Sequence, residues 1–197
     1  ILVCKKTRKA AIVDPGGEVD RIVKKLDELK VMPEKILLTH AHLDHAGGVA
    51  DLADLIRLPI EGPHKEDQFW IDMMEKQAAL YGWGPIRTFT PDRWLEQNDS
   101  VSFGDVELKV LHCPGHTPGH VVFYHSESQL AVVGDVLFQG SIGRTDFPRG
   151  NHDQLIQSIK DNLLILDDDV RFIPGHGPMS TIGQEKRSNP FVAGSYG

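Results

Sequence analysis

Three histidines and one aspartate crowd into Thr39-His40-Ala41-His42-Leu43-Asp44-His45. His40 and His42, two apart, can reach one metal ion from an extended turn. Asp44 and His45 lie further along and can turn towards a second. Imidazole and carboxylate together suit zinc, iron or manganese. The plainer alternative is a polar loop that is rich in histidine by chance, and its setting argues against that. Ile36, Leu37 and Leu38 ahead of it read as a short buried strand. Gly47-Gly48 and then Val49, Leu52, Ala53, Leu55 and Ile56 read as a helix. The four candidate ligands therefore sit on a strand-to-helix turn.

Other strand ends carry matching residues. The apolar pattern of Val106, Leu108, Val110 and Leu111 breaks at Cys113-Pro114-Gly115-His116-Thr117-Pro118-Gly119-His120. The run Leu130, Ala131, Val132, Val133 ends at Gly134-Asp135, and Val170, Phe172, Ile173 at Pro174-Gly175-His176-Gly177-Pro178. Each strand delivers one candidate, His116, Asp135 or His176, at its carboxyl end, the edge where open α/β sheets place their sites.

Together the Thr-His-x-His-x-Asp-His turn, the Pro-Gly-His-Thr-Pro-Gly-His turn, the Gly-Asp and the Pro-Gly-His-Gly-Pro resemble the metallo-β-lactamase-fold hydrolases. Within them the chain is most similar to the glyoxalase II-like branch and its small single-domain bacterial YcbL-type members. Thr90 to Leu95, Leu111 to Val122 and Gly143 to Gly150 carry the closer match. The resemblance covers essentially all of the chain. It implies an α/β fold, a four-layer αβ/βα sandwich forming one domain over residues 1–197. The family's fold has a strand before this point, and the chain opens at Ile1 without a Met, so that first strand is expected to be missing.

The resemblance also implies a ligand set and a mechanism. His40, His42 and His116 would hold one divalent ion, and Asp44, His45 and His176 the other. Asp135 would bridge, because one carboxylate can offer an oxygen to each. Zinc is the first expectation, with iron or manganese as alternatives. A bridging hydroxide, its parent water acidified towards pKa ~7, would attack the carbonyl of a thioester such as S-lactoylglutathione. Asp44 would orient that nucleophile and accept its proton. The expected activity is hydroxyacylglutathione hydrolase-like.

Two departures bear on the substrate. Glyoxalase II enzymes hold glutathione partly through a C-terminal helical region, which is expected to be absent here. They also carry a Lys nine residues after the bridging Asp and a Tyr two further on, where this chain has Arg144 and Asp146. Arg144 can meet a glycine carboxylate and is the candidate substrate contact, or it can form a structural ion pair with Asp146. Asp146 would repel an anion. Two rival readings are a persulfide dioxygenase, with one iron on two His and an Asp, and a non-catalytic domain. The intact seven-residue set weighs against both.

Composition sets further bounds. With 40% hydrophobic and 25% charged residues the chain is globular. Its net charge of −7 makes nucleic acid a poor partner. No apolar run approaches the ~20 residues of a membrane span. Two cysteines, Cys4 and Cys113, make no disulfide framework and suit a reducing cytoplasm. A monomer acting on a small-molecule thioester is expected.

The elements follow in order. Ile1 to Cys4 and Ala10 to Val13 read as strands joined by a basic tip, and Asp14-Pro15-Gly16-Gly17 as a turn. Val19, Ile22, Val23, Leu26 and Leu29 follow helical spacing. Leu58 to Pro63 reads as a short strand and turn, and Glu66 to Tyr81 as one helix with a core-facing aromatic and methionine stripe. Tyr81 to Pro85 is a loop that could border the substrate. Val101 to Val110 reads as a hairpin, Val121 to Val133 as paired strands, and Phe138 to Gly150 as a long loop. Helices are expected from Leu155 to Leu164 and from Thr181 to Ser188. Among the other histidines, His120 and His112 are expected to hydrogen-bond rather than ligate. His64, His125 and His152 read as surface residues. Cys113 reads as a small buried residue, and Thr39 as a support for the ligand turn.

Overall fold

A computed structural model describes residues 1–193. The chain forms two compact units, one of Ile1–Leu95 with Val101–Glu107, the other of Glu96–Ser100 with the chain from Leu108 onward.

The first unit is built on a four-stranded sheet in the order β1 (Leu2–Val3), β2 (Lys9–Val13), β3 (Met32–Leu37), β4 (Ile60–Glu61). Strand β1 pairs antiparallel with β2, whereas β2, β3 and β4 run parallel. Ala10, Ala11, Ile12, Ile36 and Leu37 are all buried, the continuous apolar signature of parallel strands covered on both faces. The β2-to-β3 crossover is helix α1 (Val19–Leu29), ended by Lys30 in the left-handed region. After β3 come a single turn α2 (Leu43–Ala46) and helix α3 (Val49–Ile56). Because the three strands are parallel, Asp14, the turn from Thr39 onward and the segment after Gly62 all emerge at one edge.

The single helix expected over Glu66 to Tyr81 is instead a 3-10 turn, Lys65–Asp67, then α4 (Gln68–Asp72) and α5 (Met74–Leu80). The stretch breaks at Met73, whose ψ of −5° and amide bond to the Trp70 carbonyl tighten the turn. Trp70, Ile71, Met74 and Ala78 are buried as the apolar stripe implied. Leu80, Tyr81 and Trp83 beyond it are exposed.

The second unit carries β12, β11, β8, β7 and β6 from Leu108 onward, strands of a six-stranded sheet in the order β12-β11-β8-β7-β6-β5. Its members are β5 (Ser100–Phe103), β6 (Val106–His112), β7 (Val121–His125), β8 (Leu130–Gly134), β11 (Arg171–Pro174) and β12 (Ser180–Thr181). Strands β6/β7 and β7/β8 are antiparallel and β8/β11 parallel, so β6, β8 and β11 share one direction. Their carboxyl ends lie at one edge.

Phe138 to Gly150, expected as loop, begins with a hairpin of β9 (Leu137–Phe138) and β10 (Ser141–Ile142), whose pairing register is Ser141 with Phe138. The helix expected to Leu164 is α6 (His152–Ser158), continued by a wider π turn over Ile159–Leu163. That widening still buries Ile159, Leu163 and Leu164 against Val122, Val133 and Phe172. The last helix, α7 (Ile182–Ser188), is capped by the Thr181 hydroxyl. Its buried Glu185 accepts bonds from the Gly140 amide at 2.8 Å and from Asn189 Nδ2 at 2.9 Å. Asn189 also donates to the Ser141 carbonyl at 3.0 Å. Among the described residues no helix is long and apolar enough to cross a membrane.

Candidate metal centre

In the first unit, His42 precedes α2 in an extended conformation, and its carbonyl accepts the His45 and Ala46 amides at 3.0 and 2.9 Å. One helical turn therefore carries Asp44 and His45. The rings of His40 and His45 lie 4.1 Å apart, and His45 Nε2 stands 3.7 Å from Asp44 Oδ2. His40, His42 and His45 are buried, while the Asp44 side chain is 46% exposed, open to incoming solute.

Supports for this turn come from the same sheet edge. Asp14, directly after β2, accepts the Thr39 amide on Oδ1 at 2.7 Å. Its Oδ2 accepts the Thr39 hydroxyl at 2.6 Å and lies 3.0 Å from His45 Nδ1. A carboxylate there accepts a hydrogen bond from Nδ1–H, which leaves Nε2 as the nitrogen with a lone pair to offer a metal. Thr39 Oγ1 also lies 3.0 Å from His40 Nδ1, the supporting role expected of it. Asp67, fully buried after β4, accepts the Ala41 amide at 2.9 Å. Trp70 meets the His42 ring edge-on at 4.5 Å. Sequence reasoning missed Asp14 and Asp67, because each read as turn or helix polarity. The available signal was an acidic residue one to six positions after an apolar strand. A cleft of about 560 Å³ has Asp14, Gly16, Asp44 and Trp83 in its wall, so Trp83 borders this half of the site.

In the second unit the shared direction of β6, β8 and β11 delivers His116, Asp135 and His176. Asp135 Oδ2 lies 3.6 Å from His116 Nε2 and 3.5 Å from His176 Nε2. Both spacings are long for hydrogen bonds. They match the ~3.4 Å that separates two ligands at ~2.05 Å from one tetrahedral ion. The donor set, imidazole nitrogens around a carboxylate, thus fits a divalent transition metal in both chemistry and spacing. His116 and Asp135 are buried, whereas the His176 side chain is 58% exposed.

His116 Nδ1 lies 2.7 Å from the Arg144 carbonyl, an acceptor only, so the Nδ1 proton is fixed and Nε2 faces Asp135. His120 is buried, and its Nε2 accepts the Asp135 amide at 3.0 Å; it hydrogen-bonds, as expected. His112 Nε2 likewise bonds the Pro118 carbonyl at 3.0 Å. His125 pairs with Ser128 at 2.7 Å in an exposed turn, and His152 lies on the surface. Cys113 is fully buried in the core, which pushes its thiol pKa well up and rules it out as a nucleophile. The Arg144 guanidinium holds Asp146 bidentately at 2.9 and 2.8 Å, which keeps the Asp146 carboxyl below its ordinary range.

The profile of the Metallo-beta-lactamase superfamily matches residues 1–176. Hydroxyacylglutathione hydrolase GloC of Haemophilus influenzae is 46% identical over 192 residues, which span 97% of this chain and 91% of that protein. Among solved structures, BLEG-1 B3 metallo-beta-lactamase superposes with a TM-score of 0.88 at 38% identity, over 98% of this chain and 92% of that one. TTHA1623 in a di-iron-bound form gives 0.84 at 40% identity, over 91% and 87%. ETHE1 from Myxococcus xanthus gives 0.77 at 25% identity, over 98% and 78%.

Proposed function

The chain belongs to the metallo-beta-lactamase superfamily, and from that premise we propose that it is a dinuclear metal-dependent thioester hydrolase of the hydroxyacylglutathione hydrolase kind. The observation that carries the reading is Asp135, with one oxygen 3.6 and 3.5 Å from two imidazole nitrogens. The proposed ligands are His40, His42 and His116 for one ion, Asp44, His45 and His176 for the other, and Asp135 for both. The GloC relative supports the substrate class, and the di-iron form of TTHA1623 supports iron beside zinc and manganese.

Held by those residues, two divalent ions would supply an acidified water and a polarised carbonyl. The chain's own residues do the rest. Asp44, the exposed carboxylate on α2, orients the attacking water and takes its proton. Asp14 and the Arg144 carbonyl keep His45 and His116 in the Nδ1–H tautomer through the cycle. The departing thiol ionises near pKa 8.5, so it leaves as thiolate without a dedicated general acid. Arg144 is the cation expected to meet the carboxylate of a glutathione arm, but it is engaged with Asp146. With that cation taken up by Asp146, an anionic substrate is held weakly, which predicts a high KM with kcat retained.

The likeness to BLEG-1 favours β-lactam hydrolysis as a second reading. A lactam expels an amine, which needs a proton that a thiolate does not. The test is a single preparation assayed three ways: cleavage of S-lactoylglutathione, hydrolysis of a chromogenic cephalosporin, and oxygen uptake with glutathione persulfide. Thioester cleavage abolished by Asp135→Ala is expected. Oxygen uptake without thioester cleavage would overturn the reading in favour of a dioxygenase, and lactam turnover alone would favour the second reading.

A further inference from the structure

Among the ligand-type histidines, His45 and His116 are anchored at Nδ1 by different kinds of group. His45 is held by a carboxylate that is itself tied to Thr39 at a sheet edge. His116 is held by a backbone carbonyl, that of Arg144, on a surface loop. A loop carbonyl orients an imidazole only as well as the loop is fixed. This loop carries its own brace. Arg144 Nε and Nη2 grip both oxygens of Asp146, two residues on, at 2.9 and 2.8 Å. The guanidinium also stacks 4.5 Å from the Phe147 ring centroid. Phe147 in turn meets the His116 ring edge-on at 6.1 Å. At the loop's entry Gly143 passes so close that a Cβ would lie 1.9 Å from the Asp135 carbonyl oxygen and 3.1 Å from His116 Nδ1.

We propose that the Arg144–Asp146 pair, with Phe147, is a positioning device that holds the Arg144 carbonyl on His116 Nδ1 and so sets the direction of Nε2 towards Asp135. This deepens the hydrolase reading and rests on His116 being a ligand. Arg144 then acts on the metal centre through its backbone, with its side chain serving as the brace. Both partners are about two-thirds exposed, so the brace is worth a modest factor. Its planar, two-bond geometry is what a lysine cannot supply.

The experiment measures zinc affinity of the full chain by competition with a chromogenic chelator, together with kcat and KM for S-lactoylglutathione. The variants are Arg144→Ala, Arg144→Lys, Asp146→Ala, the Arg144→Ala/Asp146→Ala double and His116→Ala. Arg87→Ala, which breaks a surface pairing with Asp51 and Asp54, serves as the control. Each loop variant, Arg144→Lys included, is expected to lose about three- to tenfold in affinity for the weaker zinc, with KM little changed. The double variant is expected to lose no more than either single one. Arg87→Ala stays at wild type. If His116→Ala loses zinc while Arg144→Ala and Asp146→Ala do not, the positioning proposal is wrong and the ligand assignment stands. A rise in KM confined to the Arg144 variants, with zinc affinity intact, would likewise overturn it in favour of direct substrate contact. If His116→Ala itself keeps full zinc affinity, the ligand assignment fails and takes the proposal with it.

Discussion

Asp14 Oδ2 lies 3.0 Å from His45 Nδ1 while the same oxygen accepts the Thr39 hydroxyl at 2.6 Å. One carboxylate at the end of β2 thus fixes both the start and the end of the His40–His45 turn. Replacing Asp14 with Ala should free the His45 ring and lower metal affinity about 10- to 100-fold. Chelator competition on purified protein measures this, and an unchanged affinity would show that the turn holds its own geometry.

The metal content is the broader test. The protein as purified should hold close to two transition-metal ions per chain, and Asp135→Ala should lose metal and more than ~10²-fold of thioesterase activity. His125→Ala, which breaks only an exposed pairing with Ser128, should be near silent. Elemental analysis giving one ion per chain, unchanged on reconstitution, would remove the dinuclear reading.

Close approach at Gly143 makes a steric prediction. A methyl there would overlap the Asp135 carbonyl, whereas one at Gly17 meets nothing within 4 Å. Gly143→Ala should cost about 1–3 kcal/mol and displace Asp135. Gly17→Ala should leave both stability and metal binding unchanged. Thermal melts of the two variants side by side decide the matter, and equal melting temperatures would contradict the packing described.

Cys4 carries a pH signature. Hydrogen bonds from the Thr7 hydroxyl, and then from the backbone at Thr7 and Asp105, pull its thiol down to about 7 from an ordinary 9.0. Between those values the folded chain binds fewer protons at this site than the unfolded chain, so stability rises with pH there. The contribution is complete above 9.0 and is lost as pH falls through about 7. The melting-temperature advantage of wild type over Cys4→Ala should therefore be larger above pH 9.0 than below about pH 7. A pH-independent difference would mean the thiol keeps its ordinary pKa.

Much of the candidate site was legible because its ligand turns follow apolar runs, three of which, before His116, Asp135 and His176, end in glycine or proline. The run sets the strand, and the turn residues set where it stops. That is how Asp135 after Gly134 and His176 after Gly175 could be picked out. What escaped was everything that depends on which strands are neighbours. Asp14 supports His45 because β2 runs parallel beside β3, and adjacency leaves no trace in either segment alone. The Arg144 carbonyl on His116 was equally hidden, since a backbone acceptor has no residue signature. Hydrophobic spacing found the helices over Glu66 to Tyr81 and Leu155 to Leu164, but it is blind to a pinched turn at Met73 or a widened one at Ile159, both of which keep the apolar side chains buried.

Helix α7 lies beyond the last candidate ligand, yet Glu185 and Asn189 fasten the Gly140–Ser141 turn of the hairpin that leads from Asp135 to Gly143. Helix α7 and the residue after it therefore act as a rivet on that hairpin. Proteolytic nicking after residue 176 would spare all seven candidate ligands and still unfasten the segment that carries the Arg144 carbonyl to His116. Metal retention can in this way be lost through damage that alters no histidine or aspartate of the candidate site.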